Sequence, residues 1–170
     1  QIDPDDLRDQ LADEEEEIQI IASSYSRYKN SLDRNKKYDF ASIQLKLLES
    51  LRENSDFQNQ VIENYSEIFI DEFQDINNIQ NDIFNEFSNL GLNLTVVGDD
   101  DQSIYGFRGA VSDFLVNFED DHQDVEVEIL ETNYRSSKKI VELTNRMIQQ
   151  ANYPRLEKNI VAHDQSECSD

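Results

Sequence analysis

The sequence predicts an α/β fold, a parallel sheet flanked by helices and preceded by a helical segment. Two observations carry that prediction. From Glu67 onward, short apolar runs alternate with stretches of helical periodicity, and strand, helix, strand, helix, strand, helix implies parallel strands joined by right-handed crossovers. Before that point only the helical period is present. The apolar run Ile68-Phe69-Ile70 also ends abruptly in Asp71-Glu72-Phe73-Gln74-Asp75, which puts carboxylates at the C-terminal edge of a sheet, where open α/β folds bind ligands.

In the N-terminal third, Leu11, Ile18, Tyr25 and Leu32 recur every seven residues with Ile21 and Tyr28 between them, and Glu14 to Glu17 form an acidic block. The spacing predicts a long amphipathic helix over about Asp6 to Leu32, its apolar stripe explained by ordinary helix packing rather than by a coiled-coil dimer. Asp33 to Lys37 reads as a polar connector. Phe40, Ile43, Leu47, Leu48 and Leu51 make a second helical stripe, and Phe57, Val61, Ile62 and Tyr65 a third.

Glu67 to Ile70 is the first predicted strand. Ile79, Ile83, Phe84, Phe87 and Leu90 then line one face of a helix that Gly91 terminates. Leu92 to Val97 is the second strand, and Ala110 to Phe118 is predicted helical. Val125 to Leu130 alternates Val127 and Ile129 with Glu126 and Glu128 as a third strand, and Ser136 is placed as the cap of a helix carrying Ile140, Leu143, Thr144 and Met147. The tail from Asn152 to Asp170 is expected to be poorly ordered, especially after Ala162. There is no internal repeat.

Composition narrows the class. The chain has 170 residues, 37% of them hydrophobic, and no apolar stretch near membrane-spanning length. It begins at Gln1, its one methionine is Met147, and it has no basic-then-apolar leader, so it is read as a piece excised from a longer protein. A single cysteine, Cys168, rules out an internal disulfide and a cysteine-based metal site, and suits a reducing compartment such as the cytoplasm. His122 and His163 lack partners at metal-ligand spacing and read as surface residues. The formal net charge is -22, from 37 acids against 15 bases. Taken alone it argues against a polyanionic partner, because DNA affinity normally comes from Lys and Arg. Adaptation to concentrated salt is one explanation, since screening lengths fall to about 3 Å at 1 M.

Three strand ends carry the chemistry. At the first, an acid such as Asp71 holds Mg²⁺ in a P-loop NTPase and its neighbour orients the attacking water. At the second, Gly98, Gly106 and Gly109, three of the chain's four glycines, lie within Val97 to Ala110, where the backbone needs unusual dihedrals or close approach to something. There, Asp100 and Asp101 fit a solvated turn as well as a functional role. Gln102, Tyr105, Phe107 and Arg108 fit less well as a bland turn, since an amide, two aromatics and a guanidinium can couple a phosphate sensor to a base-stacking surface. At the third, Glu131-Thr132-Asn133-Tyr134-Arg135-Ser136-Ser137, Arg135 suits a γ-phosphate or a surface salt bridge, and Tyr134 suits stacking on a nucleobase or packing under the helix.

Taken together these segments resemble the UvrD/Rep/PcrA group of superfamily I DNA helicases. Ile-Phe-Ile-Asp-Glu-Phe-Gln-Asp is similar to that family's Walker B motif, Val-Val-Gly-Asp-Asp-Asp-Gln-Ser-Ile-Tyr-Gly-Phe-Arg-Gly-Ala to its motif III and Asn-Tyr-Arg-Ser to its motif IV. The resemblance covers about Tyr38 to Gln150. It implies a partial RecA-like (P-loop NTPase) sheet: residues 1–37 would end an inserted 1B subdomain, 38–152 would be the latter part of motor domain 1A, and 153–170 the tail. It also implies ATP and Mg²⁺ as cofactors, single-stranded and duplex DNA as partners, 3′ to 5′ translocation, and DNA repair or replication as the setting.

Carried over residue by residue, Asp71 would hold Mg²⁺, Glu72 would polarise the hydrolytic water, and Gln102 would sense the γ-phosphate. Tyr134 would stack on adenine, Arg135 would contact the γ-phosphate, and Tyr105, Phe107 and Arg108 would meet DNA. Phe107 is smaller than the family's usual tryptophan, and Asp39-Phe40-Ala41-Ser42-Ile43 lacks two acids of an upstream acidic cluster. No Gly-Lys pair occurs anywhere, so the phosphate cradle of a P-loop is absent from these residues. The adenine-binding N-terminal motif and a second motor domain are absent as well. The 170 residues by themselves are therefore expected neither to hydrolyse ATP nor to unwind DNA. The alternative is a non-catalytic helicase relative whose acidic surface docks a basic partner.

Overall fold

The structure, a computed structural model, describes residues 16–103, 113–150 and 155–163. The chain divides into two compact units, Gln1–Asn54 and Ser55–Asp170. The break between these units falls between Asn54 and Ser55, so the second helix is grouped with the first.

The first unit holds α1 (Glu16–Arg34) and α2 (Phe40–Glu53). Asp39 starts α2 as its N-cap, accepting the Ser42 N–H at 2.7 Å, which satisfies one of the donors a helix start leaves free. Tyr28 donates its hydroxyl to the other Asp39 oxygen at 2.9 Å, and Lys29 reaches Ser42 Oγ at 2.7 Å. The hydrogen bonds from Ser42, then that from Tyr28, hold the Asp39 carboxyl down to about 2. On α1 the heptad stripe is partly enclosed, with Ile18 and Leu32 half-buried and Leu11 outside the described residues. Ala22 and Ser26 are the buried positions of the helix, while Ile21, Tyr25 and Tyr28 remain exposed. Four-residue spacing puts Ile18, Ala22 and Ser26 above one another on the helix, with Ile18 half-buried and the two small side chains covered.

The second unit opens with α3 (Ser55–Asn64) and continues into β1 (Glu67–Ile70), α4 (Asn78–Asn89) and β2 (Asn93–Val96). β1 and β2 pair in parallel, Glu67 opposite Asn93 through Ile70 opposite Val96. Two motifs fix the crossover. Asn77 and Gln80 form a reciprocal capping box at the start of α4. At its end Gly91 takes φ +89°, with the Gly91 N–H donating to Ser88 O and the Leu92 N–H to Phe87 O, the double bond of a Schellman motif that the Gly91 position predicts. Leu92 is buried behind it.

The core beneath β1 is Ile70, Phe73, Ile76 and Leu115, with Ile68, Phe84, Val96, Phe114, Phe118 and Leu156 packed around it. Phe118 meets Phe73 edge-on at 5.4 Å, a favoured aromatic geometry. Phe114 and Phe118 belong to α5 (Asp113–Val116) and α6 (Phe118–Asp121), two short turns where one helix was expected. Residues 110–112 of that prediction lie outside the described residues.

The single sheet expected from the alternation is corrected in its second half. Among the described residues there are two parallel pairs, β1–β2 and β3–β4, the latter formed by Thr132–Asn133 and Val161–Ala162. Val125 to Leu130 is not a strand. Its alternation supplies the right period, but a strand also needs a hydrogen-bonded neighbour, and none pairs with it among the described residues. Pairing begins only where the Val161 N–H reaches Glu131 O and the His163 N–H reaches Asn133 O.

β4 likewise corrects the expectation of a poorly ordered tail for residues 155–163, which are held by charge and by the β3 edge. α7 (Lys138–Ile148) begins after Ser137, not Ser136, and its cap makes no side-chain hydrogen bond. Ser136 instead donates its N–H to Asn133 Oδ1 at 2.7 Å. No helix among the described residues is long and apolar enough to cross a membrane.

Candidate active site

Because β1 and β2 run parallel and in register, the segments that leave them emerge on the same edge. Asp71 and Glu72 follow β1, and the Asp99–Gln102 turn follows β2. The ladder continues past both strands: Val97 donates to Ile70 O at 2.8 Å, and Phe73 donates to Val97 O at 2.9 Å. The chain then turns sharply. Glu72 adopts φ 54°, ψ 42°, a left-handed conformation that is uncommon for a residue with a Cβ and that concentrates at functional sites.

Gln74 joins the two strand ends. It is only 2% exposed. Its Nε2 donates to Glu72 Oε2 at 2.6 Å, and its Oε1 accepts the Asp99 N–H at 2.9 Å. Asp99 Oδ2 in turn accepts from Gln102 Nε2 at 2.7 Å. One chain of hydrogen bonds therefore runs from Glu72 through Gln74 and Asp99 to Gln102, linking two of the residues singled out in the sequence through two that were not. The signal for Gln74 was present, a polar residue between Phe73 and Ile76 in an apolar core, but nothing in sequence separates it from a surface amide.

Gly98 is required by this arrangement for space, not for its dihedral angles. A Cβ at that position would meet Gln74 Oε1 at 2.7 Å and Leu115 Cδ2 at 3.0 Å.

Asp71 is exposed at the strand end, with one oxygen accepting the Glu72 N–H at 2.9 Å. It offers a hard carboxylate oxygen facing solvent, the donor type that Mg²⁺ takes alongside waters and phosphates. The residues fit that ion.

Asp99, Asp100 and Asp101 bring their carboxylates within 4.8 Å of one another, yet side-chain cations already fill the space between them. Lys158 Nζ reaches Asp99 Oδ1 at 2.6 Å and Asp101 Oδ2 at 3.2 Å, and also binds Asp100 Oδ1. Arg155 grips Asp101 with two bonds, at 2.9 and 2.7 Å, and the Leu156 N–H reaches Asp100 Oδ2 at 2.9 Å. Burial pushes the Asp99 and Asp101 carboxyls up, but bonds from Lys158 and Gln102 to the first, and from Arg155 and Lys158 to the second, hold both below the ordinary value. Burial pulls Lys158 down, and the three aspartates more than reverse it. Nothing in the sequence marks Lys158 or Arg155 for this place, because the tail that carries them has no periodicity to position it.

Tyr134 and Arg135 follow β3 and lie apart from this chain of bonds. No hydrogen bond or ion pair joins them to Asp71, Glu72 or Gln102 among the described residues. Tyr134 is exposed, with its ring against His163 at 4.7 Å, and the loop is shaped by Asn133 Oδ1, which accepts the N–H groups of Arg135 and Ser136. Tyr105, Phe107 and Arg108 lie outside the described residues.

The family model of the UvrD/REP helicase N-terminal domain matches residues 1–123. Among curated relatives, a probable DNA helicase II homolog of Mycoplasma capricolum subsp. capricolum is 34% identical over 147 residues, 86% of this chain and 20% of that protein. The ATP-dependent DNA helicase PcrA of Leuconostoc citreum is 34% identical over 79% of this chain and 18% of its own length. PcrA of Staphylococcus epidermidis is 37% identical over 76% and 18% respectively. The chain thus spans about a fifth of the length of the relatives it matches. With strand-end acids, a glycine-bounded second loop and a sequence match over most of its length, the chain belongs to the UvrD/REP helicase N-terminal domain family.

Proposed function

We propose that this chain forms part of the ATP site and of the DNA-contacting face of an ATP-dependent DNA helicase that translocates 3′ to 5′ on single-stranded DNA. The observation that carries the reading is the hydrogen-bonded path from Glu72 through Gln74 and Asp99 to Gln102 across two parallel strand ends. In this reading Glu72 orients the hydrolytic water, and Gln74 fixes the carboxylate that does so. Gln102 faces the γ-phosphate and Asp99 sets its direction. Bound at Asp71, Mg²⁺ would neutralise charge on the phosphate oxygens. Tyr134 offers its exposed ring to adenine and Arg135 its guanidinium to the γ-phosphate. Tyr105, Phe107 and Arg108 meet the DNA strand.

These 170 residues contain no Gly-Lys of a phosphate loop, so on their own they are expected not to hydrolyse ATP. Hydrolysis stimulated by single-stranded DNA is measured on a protein that joins this chain to a phosphate loop, against its Glu72→Gln variant. Loss of a water-orienting carboxylate is expected to lower kcat by at least about 100-fold. A variant that keeps its rate would overturn the assignment of Glu72, and Glu72-dependent hydrolysis by the 170 residues alone would overturn the claim that they are inactive.

A further inference from the structure

We propose that Lys158, with Arg155 beside it, is a positioning residue of the nucleotide site, neutralising the Asp99–Asp101 turn and holding it in the shape that aims Gln102. The inference rests on the reading that Gln102 faces a γ-phosphate. Three consecutive carboxylates next to such a residue would repel the phosphate. Lys158 and Arg155, bonded to all three, leave the turn with one net negative charge.

The geometry is that of a built contact. The Lys158 side chain is 10% exposed and that of Asp100 is 2% exposed. Asp99 presents Oδ1 to Lys158 and Oδ2 to Gln102, so fixing one oxygen fixes the direction of the other. The ammonium thus acts on Gln102 through Asp99. An intact salt bridge in a chain with a large excess of acids would be unremarkable on the surface, whereas here a lysine is enclosed by the one turn that carries the predicted sensor.

The segment that supplies Lys158 is itself anchored at its far end. Asn145 donates to Ile160 O at 2.7 Å, the Asn159 N–H reaches Glu131 Oε1 at 2.8 Å, and β4 pairs with β3. Residues 155–163 therefore span from the β2 strand end to the β3 strand end, and the ammonium is placed by backbone pairing, not by a free side chain searching the surface. Small residue shifts at the β3 edge would be passed to the Asp99 turn by the same segment.

The test is nuclear magnetic resonance of the ¹⁵N-labelled 170-residue chain, without nucleotide. In the wild type the Gln102 side-chain NH₂ is bonded to Asp99 and its signals should lie away from those of a free glutamine. In Lys158→Met they should move to the free position, while the Asn64 NH₂ on α3, bonded to Gln60 O at 2.6 Å and outside the Asp99 network, stays in place. A purely structural role would move both pairs or neither, so an unmoved Gln102 signal, or joint displacement of the two, overturns the proposal. If Lys158→Met does not fold, the wild type decides. Its Lys158 ammonium signal, visible only when shielded from exchange, should be present at neutral pH and change together with the Gln102 NH₂ on acidification; its absence, or independent midpoints, overturns the proposal. Neither readout involves ATP. A Gln102→Ala variant with undiminished hydrolysis in the phosphate-loop-bearing protein would instead sink the nucleotide reading and leave the Lys158 geometry standing.

Discussion

Gly98→Ala isolates what holds the two strand ends together. The added methyl would sit 2.7 Å from Gln74 Oε1, 3.0 Å from Leu115 Cδ2 and 3.3 Å from the Gln74 backbone nitrogen. An amide at the end of a side chain can usually swing aside, but this one is buried and bonded at both ends, to Glu72 at 2.6 Å and to the Asp99 N–H at 2.9 Å. Displacing it strands a part-buried donor, at about 1–3 kcal/mol. Overpacking against Leu115 adds a cost of similar size. Together the loss should be about 2–6 kcal/mol, or roughly 4–24 °C in Tm for a chain of this size.

The chain has no tryptophan, so unfolding is followed by far-ultraviolet circular dichroism in urea, with hydrogen exchange of the Asp99 amide as the local readout. In a Gln74→Ala background the same glycine substitution should cost at least about 1 kcal/mol less, because contacting residues do not act additively. A loss below about 0.5 kcal/mol, within the range of an indifferent surface change, would refute the packing explanation, as would equal costs in the two backgrounds.

Three further outcomes are expected. Removing Lys158 from the enclosed acid cluster with Lys158→Met should destabilise the chain by about 3 kcal/mol; because Asp99 and Asp101 are lowered and Lys158 raised, the difference from wild type should be full between the ordinary values of 3.8 and 10.5. It should shrink as pH falls through the lowered carboxyl values and as pH rises through the raised lysine value, and a urea series across pH that shows no such plateau would contradict the ion-pair account. Asn77→Ala, which opens the capping box of α4, should cost about 1 kcal/mol, with faster amide exchange at Gln80 as the check. If the net charge of -22 reflects salt adaptation, Tm should rise between dilute and molar KCl as surface repulsion is screened; a flat or falling Tm would remove that explanation.

Elements whose signals are local were legible in the sequence. Glu67–Ile70 is a strand with the predicted bounds, and Gly91 ends its helix as its position implies, because an apolar run and a left-handed glycine act over a few residues. Asp71, Glu72 and Gln102 were placed at strand ends by the same kind of signal. Periodicity failed for Val125 to Leu130, since alternation says which face a side chain takes and nothing about whether a neighbouring strand exists. On α1 the period held in part: Ile18 and Leu32 of the stripe are half-buried, while Ile21, Tyr25 and Tyr28 are exposed and small Ala22 and Ser26 are covered.

By itself, then, the sequence determined the order of the strand-end acids, the glycine-bounded loop and the Tyr-Arg pair, and through them the family. Only the tertiary structure decided that Gln74 bridges Glu72 to Asp99, that Gly98 must lack a side chain, and that Lys158, more than 50 positions away along the chain, lies among Asp99, Asp100 and Asp101. The physical reason is range. Strand and helix preferences are set by near neighbours, whereas a buried amide or ammonium is held by whatever partners the fold brings to it, and no spacing in the chain encodes that encounter.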